Sequence, residues 1–134
     1  MSRWPSWVTL TFDLIKSGRA AAGLPRVPAS LTYDAGTDPL PRYLVSTLPS
    51  THDRLEALPI VEIETLATTF AEAERLATDI DDILMGYPLS TSSGGRVVLV
   101  DRVDVISSPA EISLEGESKI RRFLATYQLT VRRV

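Results

Sequence analysis

The sequence predicts an α+β fold: a mostly antiparallel four-stranded sheet with helices packed on one face, each copy a subunit with surface to offer others. Three observations carry this. First, from Phe123 the odd positions read Phe123, Ala125, Tyr127, Leu129 and Val131, while the even ones read Arg122, Thr126, Gln128, Thr130 and Arg132, with Leu124 the exception. A period of two is that of a strand with one apolar and one polar face. Second, Phe70, Ala73, Leu76, Ala77, Ile80, Ile83 and Leu84 recur at three and four, the stripe of an amphipathic helix. Third, charge is segregated. Glu62, Glu64, Glu72, Glu74, Asp79, Asp81 and Asp82 precede a C-terminal stretch that holds Lys119, Arg121, Arg122, Arg132 and Arg133 and no acid. Opposite patches on one subunit suit a heterologous contact between copies, which closes rings or grows filaments.

The elements follow in order. Trp7, Leu10, Leu14 and Ile15 fit a helical stripe, and Gly23 is a natural residue for the position just past a helix ending near Ala22. The alternation Val8, Leu10, Phe12, Leu14 would also suit a strand; the alanine run 20–22 favours the helix. Residues 24–41 are proline-rich and read as a loop with at most one short strand at 30–33. Residues 43–47 and 59–66 read as strands, the second with Val61 and Ile63 on one side and Glu62 and Glu64 on the other. Thr69-Phe70-Ala71-Glu72 has capping-box spacing, and Gly86 and Pro88 close the helix it opens. Residues 90–95 read as a flexible loop, 97–106 as a strand covered on both faces, and 107–117 as a second loop. The alternating stretch 118–134 completes the sheet. At roughly 3.3 Å per residue it would run about 40 Å, longer than the usual strand of about 5–6 residues, so part of it is expected to meet another chain.

At 134 residues, 44% hydrophobic and 23% charged, the chain has the size and composition of one globular domain over residues 1–134. With no cysteine, it can hold no disulfide, thiolate metal site or cysteine nucleophile. The first residues lack the pattern of a signal peptide, and no apolar run approaches the roughly 18 residues of a membrane span. The expectation is a protein that works without a membrane.

Material for chemistry is sparse. His52, beside Asp53 in a polar turn, is the one histidine, too little for a hydrolase constellation. Asp79-Ile80-Asp81-Asp82 offers carboxylates to a hard cation, but on a helix and without the loop glycine of a calcium hand. Ser92-Ser93-Gly94-Gly95-Arg96 follows a helix and precedes a strand, the reverse of a phosphate loop. The aromatics Phe123 and Tyr127 sit on the core side of the basic strand, away from any stacked base. The expectation is no enzyme, no metal, no cofactor and no sequence-specific nucleic-acid binding.

Two stretches resemble the tail terminator proteins of long-tailed bacteriophages. One is Leu58-Pro59-Ile60-Val61-Glu62-Ile63-Glu64 running into Phe70-Ala71-Glu72-Ala73-Glu74-Arg75-Leu76-Ala77. The other is the closing stretch from Ile120 through Tyr127 to Arg132, with Tyr43-Leu44-Val45-Ser46-Thr47-Leu48-Pro49 fitting more loosely upstream. The resemblance implies a ring, usually a hexamer, that caps the finished tail tube, ends its polymerisation and joins the head connector. Its implied partners are itself, the tail tube protein and the head–tail connector protein. The genome DNA would pass through the lumen without specific recognition. The implied location is the virion tail or neck, with assembly in the host cytoplasm, and no catalytic residue is implied. Other readings of the residues are a different neck or tail-completion protein, or a small non-enzymatic regulatory or ligand-binding α+β domain. Under the ring reading, Arg121, Arg122, Arg132 and Arg133 are expected to meet acidic surface of the next subunit, supplied by Glu62, Glu64, Glu72, Glu74, Asp79 and Asp82. The terminal strand is expected to add to a neighbour's sheet edge.

Overall fold

The first helix, α1, spans Trp7–Ala21, and its ends are set by the side chains that the sequence supplies there. Ser6 Oγ accepts from the Thr9 amide at 3.4 Å. At the other end Gly23, at φ 72°, lets the Leu24 amide reach Arg19 O at 2.8 Å and its own amide reach Ala20 O at 3.1 Å. That pair of bonds is a Schellman closure, which a residue with a Cβ adopts at a cost. The second helix, α2, spans Phe70–Met85; Thr69 Oγ1 accepts from the Glu72 amide at 3.2 Å. The computed structural model describes residues 4–52, 55–113 and 119–133, the last in backbone only. Expectations that fall on residues 1–3, 53, 54, 114–118 and 134, and on the Arg133 side chain, lie outside the described residues.

The strands are β1 (Ala29–Ser30), β2 (Arg42–Leu48), β3 (Glu56–Ala57), β4 (Ile60–Ala67), β5 (Leu89–Ser93), β6 (Arg96–Ile112) and β7 (Arg121–Arg133). They form one seven-stranded sheet in the order β1-β2-β4-β7-β6-β5, with β3 beside β7. The β1–β2 pair is parallel and the others antiparallel, so the sheet is mixed. It curls as a half-barrel with the two helices. The class is α+β, but the expectation of a four-stranded, mostly antiparallel sheet is overturned.

The added strands have physical reasons. β5 reads Leu-Ser-Thr-Ser-Ser, with no apolar alternation to announce it; its pairing with β6 is set by the turn. Gly94 and Gly95 both lie at positive φ, 61° and 76°, the backbone that a two-residue hairpin between Ser93 and Arg96 requires. The expected loop at 90–95 is therefore a strand and its turn. The expected loop at 107–117 is also shortened, because β6 runs on to Ile112. Ser107, Ser108 and Pro109 signal a break, and the strand absorbs them through register shifts between Val105 and Ser107 and between Ser107 and Ala110.

The core lies between the sheet and the helices. Every odd β7 residue from Phe123 to Val131 is buried, as the alternation predicts, and those from Ala125 on share one cluster with Val61 and Ile63 of β4, Tyr43 and Val45 of β2, and Val98, Val100 and Val103 of β6. Leu10, Leu14 and Ile15 of α1 and Leu76, Ile80 and Leu84 of α2 cover this layer. A smaller cluster of Ala67, Ala73, Ala77 and Phe123 seals the start of α2, where the Phe70 and Phe123 rings stand 5.3 Å apart.

Polar ties cross the core. Tyr43 Oη donates to Leu76 O at 2.8 Å and accepts from Arg19 Nη1 at 3.1 Å. Arg19, nearly fully buried, also donates to Pro25 O at 2.8 Å and to Asp79 Oδ2 at 3.2 Å. One guanidinium thus fastens α1, the loop after it, β2 and α2.

Candidate assembly surface

The polar face of the sheet turns away from the helices. On it the even residues of β7 stand beside Glu62 and Glu64 of β4 and Arg102 and Asp104 of β6, as the strand registers dictate. Three of the four arginines expected to reach a neighbour already meet carboxylates of their own chain. Arg122 Nη1 lies 3.0 Å from Glu64 Oε1, with side chains 11% and 21% exposed. Arg132 grips Asp101 through two bonds, Nε to Oδ2 at 2.9 Å and Nη2 to Oδ1 at 3.2 Å. Arg121 Nη1 lies 3.6 Å from Glu111 Oε2. The Asp101 bonds raise the pKa of Arg132 above its ordinary value.

The acids divide in the same way. Asp79 turns inward to Arg19, and Asp81 Oδ1 accepts from Tyr127 Oη at 2.9 Å, tying α2 to β7. Burial, reinforced for Tyr127 by the bond to Asp81, pushes the Tyr43 and Tyr127 hydroxyls above the ordinary tyrosine range. Glu62 accepts from Ser46 Oγ at 3.4 Å. Glu74 and Asp82 remain exposed on the helix and Glu72 is half-buried in its first turn. Glu74 and Asp81 line a shallow cleft of about 200 Å³ with Thr78, Pro109 and Phe123. The acidic helix is therefore less free than its composition implies, because its inward turn spends Asp79 and Asp81 on internal ties.

The edges of the sheet differ from expectation. β7 is flanked along its length, by β6 on one side and by β4 and β3 on the other. A strand with both edges paired has no backbone groups to offer, so β7 does not add to a neighbour's sheet. Free edges lie elsewhere. β5 pairs β6 only up to Val100, which leaves residues 101–112 of β6 without a strand on that side among the described residues. β1 pairs β2 only at Tyr43 and Leu44, which leaves residues 45–48 likewise open. Leu48 is 41% exposed at one edge; Val105 and Ile106 are 40% and 54% exposed at the other. The sequence placed Val105 and Ile106 in a strand covered on both faces, and their exposure, with that of Val97 at 55%, overturns it; the adjacent pair Val105-Ile106 was the available signal of an open face. Neighbours on a strand point to opposite faces, so two apolar residues in a row place one of them outside a one-sided core.

The residues weighed for chemistry take structural places. His52 sits 6.5 Å from the Trp4 ring and bridges to Ala57. Ser92 to Arg96 forms the end of β5 and its hairpin turn. Among the described residues no group of three or more His, Asp or Glu side chains is gathered to hold a metal, and no helix is long and apolar enough to cross a membrane.

No protein-family model and no curated protein matches this sequence. The fold has likenesses among solved structures. A chain of the virion of a native gene transfer agent (GTA) particle superposes with a TM-score of 0.57 at 17% identity, over 95% of this chain and 99% of that one. A second solved chain, of no stated role, superposes with a TM-score of 0.48 at 15% identity, over 94% and 92% of the two chains. This chain thus shares, nearly end to end, the fold of one chain of that GTA particle.

Proposed function

We propose that this protein is a structural component of a phage or phage-like virion that acts by assembly, and specifically a tail terminator. It forms a ring, a hexamer in this reading, that caps the finished tail tube and joins it to the head connector. The observation that carries the proposal is the near end-to-end likeness of fold to a chain of the GTA virion. It agrees with the independent resemblance of the β4–α2 and β7 stretches to tail terminators. The site supports the same reading. The chain offers two separate free edges on one sheet, each with exposed apolar side chains, and ring closure needs two different patches per subunit. Its partners in this reading are copies of itself, the tail tube protein and the connector protein. The genome passes through the lumen, and no reaction, cofactor or metal is invoked. The protein then resides in the virion after assembling in the host cytoplasm.

The test is tube elongation. Purified protein added to polymerising tail tube protein is expected to stop growth and to appear as a ring at tube ends in negative-stain images. Tubes that lengthen undisturbed and carry no terminal density would reject the terminator role. Binding to isolated connector with no effect on tubes would point to another neck protein.

A further inference from the structure

We propose that copies of this chain join edge to edge, residues 102–105 of β6 in one copy pairing with residues 45–48 of β2 in the next, so that one sheet continues into its neighbour. The proposal rests on the assembly reading above and names the contact through which that assembly forms. The two edges fit each other in length. Between the register shifts that flank it, β6 keeps an unbroken ladder with β7 over Arg102↔Thr130, Val103↔Leu129, Asp104↔Gln128 and Val105↔Tyr127. The part of β2 left open by β1 is residues 45–48, a stretch of the same length.

They also fit in direction and face. β2 is antiparallel to β4, β4 to β7 and β7 to β6, so β2 and β6 run in opposite senses within a copy. Rotation about an axis along the strands preserves those senses, and β6 meets the next β2 as an antiparallel pair. Ser46 and Leu48 lie on the outer face with Glu62, Thr126 and Gln128, the face that also carries Arg102 and Asp104. Continuing the sheet therefore sets Arg102 and Asp104 beside Ser46 and Leu48, with apolar Val103 and Val105 inward beside Val45.

Charge and apolar surface agree. Arg102, 64% exposed, has a guanidinium fork of which Asp104 Oδ1 takes Nε at 2.9 Å. In the joined sheet Glu62 of the next copy stands two strands away, about 10 Å in backbone spacing. In this register Asp104 faces Ser46 and Arg102 faces Leu48, so Arg102 stands diagonal to Glu62 and reaches it across the short Ser46. Pairing also covers the 40% exposed Val105 against Val45 and sets Leu48, 41% exposed, against the alkyl stem of Arg102. The outer edge of β5 is the competing site, but it presents Ser90, Thr91 and Ser92, and a polar edge of that kind offers a partner little apolar area.

The cysteine-free chain makes the test direct. Leu48→Cys or Ser46→Cys chains are mixed with Asp104→Cys or Arg102→Cys chains under mild oxidation and read on non-reducing gels. Directly opposed residues of an antiparallel pair have Cβ atoms about 4.5–5.5 Å apart, close to disulfide geometry. The expected result is that at least one mixed pair shifts from one-chain to two-chain mass, and that the corresponding double variant yields a ladder ending at the ring. Ser90→Cys is expected to stay at one-chain mass with every partner. A ring in negative stain with no mixed cross-link overturns this contact and leaves the assembly reading standing. Cross-linking through Ser90→Cys, or of Asp104→Cys with itself alone, overturns it in favour of another edge or a two-fold dimer. Absence of both ring and cross-link overturns the contact and the assembly reading together.

Discussion

Arg122 and Arg132 stand on the same face of β7, yet their surroundings assign them different roles. Arg122 and Glu64 are both largely buried, so removing one charge leaves the other desolvated. Arg122→Glu is expected to destabilise the fold by on the order of 3 kcal/mol, read from urea midpoints, and the exchange Arg122→Glu with Glu64→Arg to recover part of that loss. Arg132→Glu breaks a pair whose members are 55% and 35% exposed, and should barely move the midpoint. Equal losses from the two reversals would show that burial does not separate them. A charge reversal meant to probe assembly is therefore better made at Arg102, whose side chain is open to solvent.

The helices meet through a glycine. The added methyl of Gly18→Ala would land on Ile83 Cγ2, where α1 crosses α2. Alanine is the better helix former by about 1 kcal/mol, but overpacking costs about 1–3 kcal/mol, so the substitution is expected to lower the melting temperature. In an Ile83→Ala background the same change should become neutral or stabilising. A rise in melting temperature from Gly18→Ala alone would show that the helices can part at that crossing. The elements also show what the sequence could convey. α1, α2, β4 and β7 were legible because each buries one face, and burial on one face writes a period into the residues. Gly23 and Thr69 marked helix ends because their side chains, or lack of one, settle the end geometry. β1 and β3 are two residues long and carry no period, and β5 is polar throughout. The arginines were legible as charges but not as pairs: Arg122 with Glu64 and Arg132 with Asp101 depend on registers that only the assembled sheet defines.

At the scale of the whole molecule, two tyrosine hydroxyls join helices to sheet. Tyr43 reaches α2 and α1, and Tyr127 reaches α2 through Asp81. Both hydroxyls hold their protons above the ordinary tyrosine value of about 10, which the unfolded chain keeps. The folded state therefore retains protons that the unfolded state has lost once pH passes about 10. The stability they contribute is fully present below that pH and declines above it, by up to about 1.4 kcal/mol per pH unit for each tyrosine. Urea midpoints between neutral and alkaline pH should fall in that window, and Tyr127→Phe should flatten the fall. An unaltered alkaline slope in that variant would separate Tyr127 from the linkage.

β7 lies at the centre of the sheet but follows every other strand in the chain. During synthesis the β1-β2-β4 half and the β5–β6 hairpin emerge first, with no strand between them. Until β7 inserts, β4 and β6 each present a bare ladder of backbone groups, and the apolar faces of both halves remain open to water. The step that completes the core is a closure between distant parts of the chain, slow by the standards of local structure. Nascent chains are most exposed to mispairing just before it. The same insertion that satisfies β4 hides its ladder, so the edges left for other copies are defined only in a chain that has finished folding.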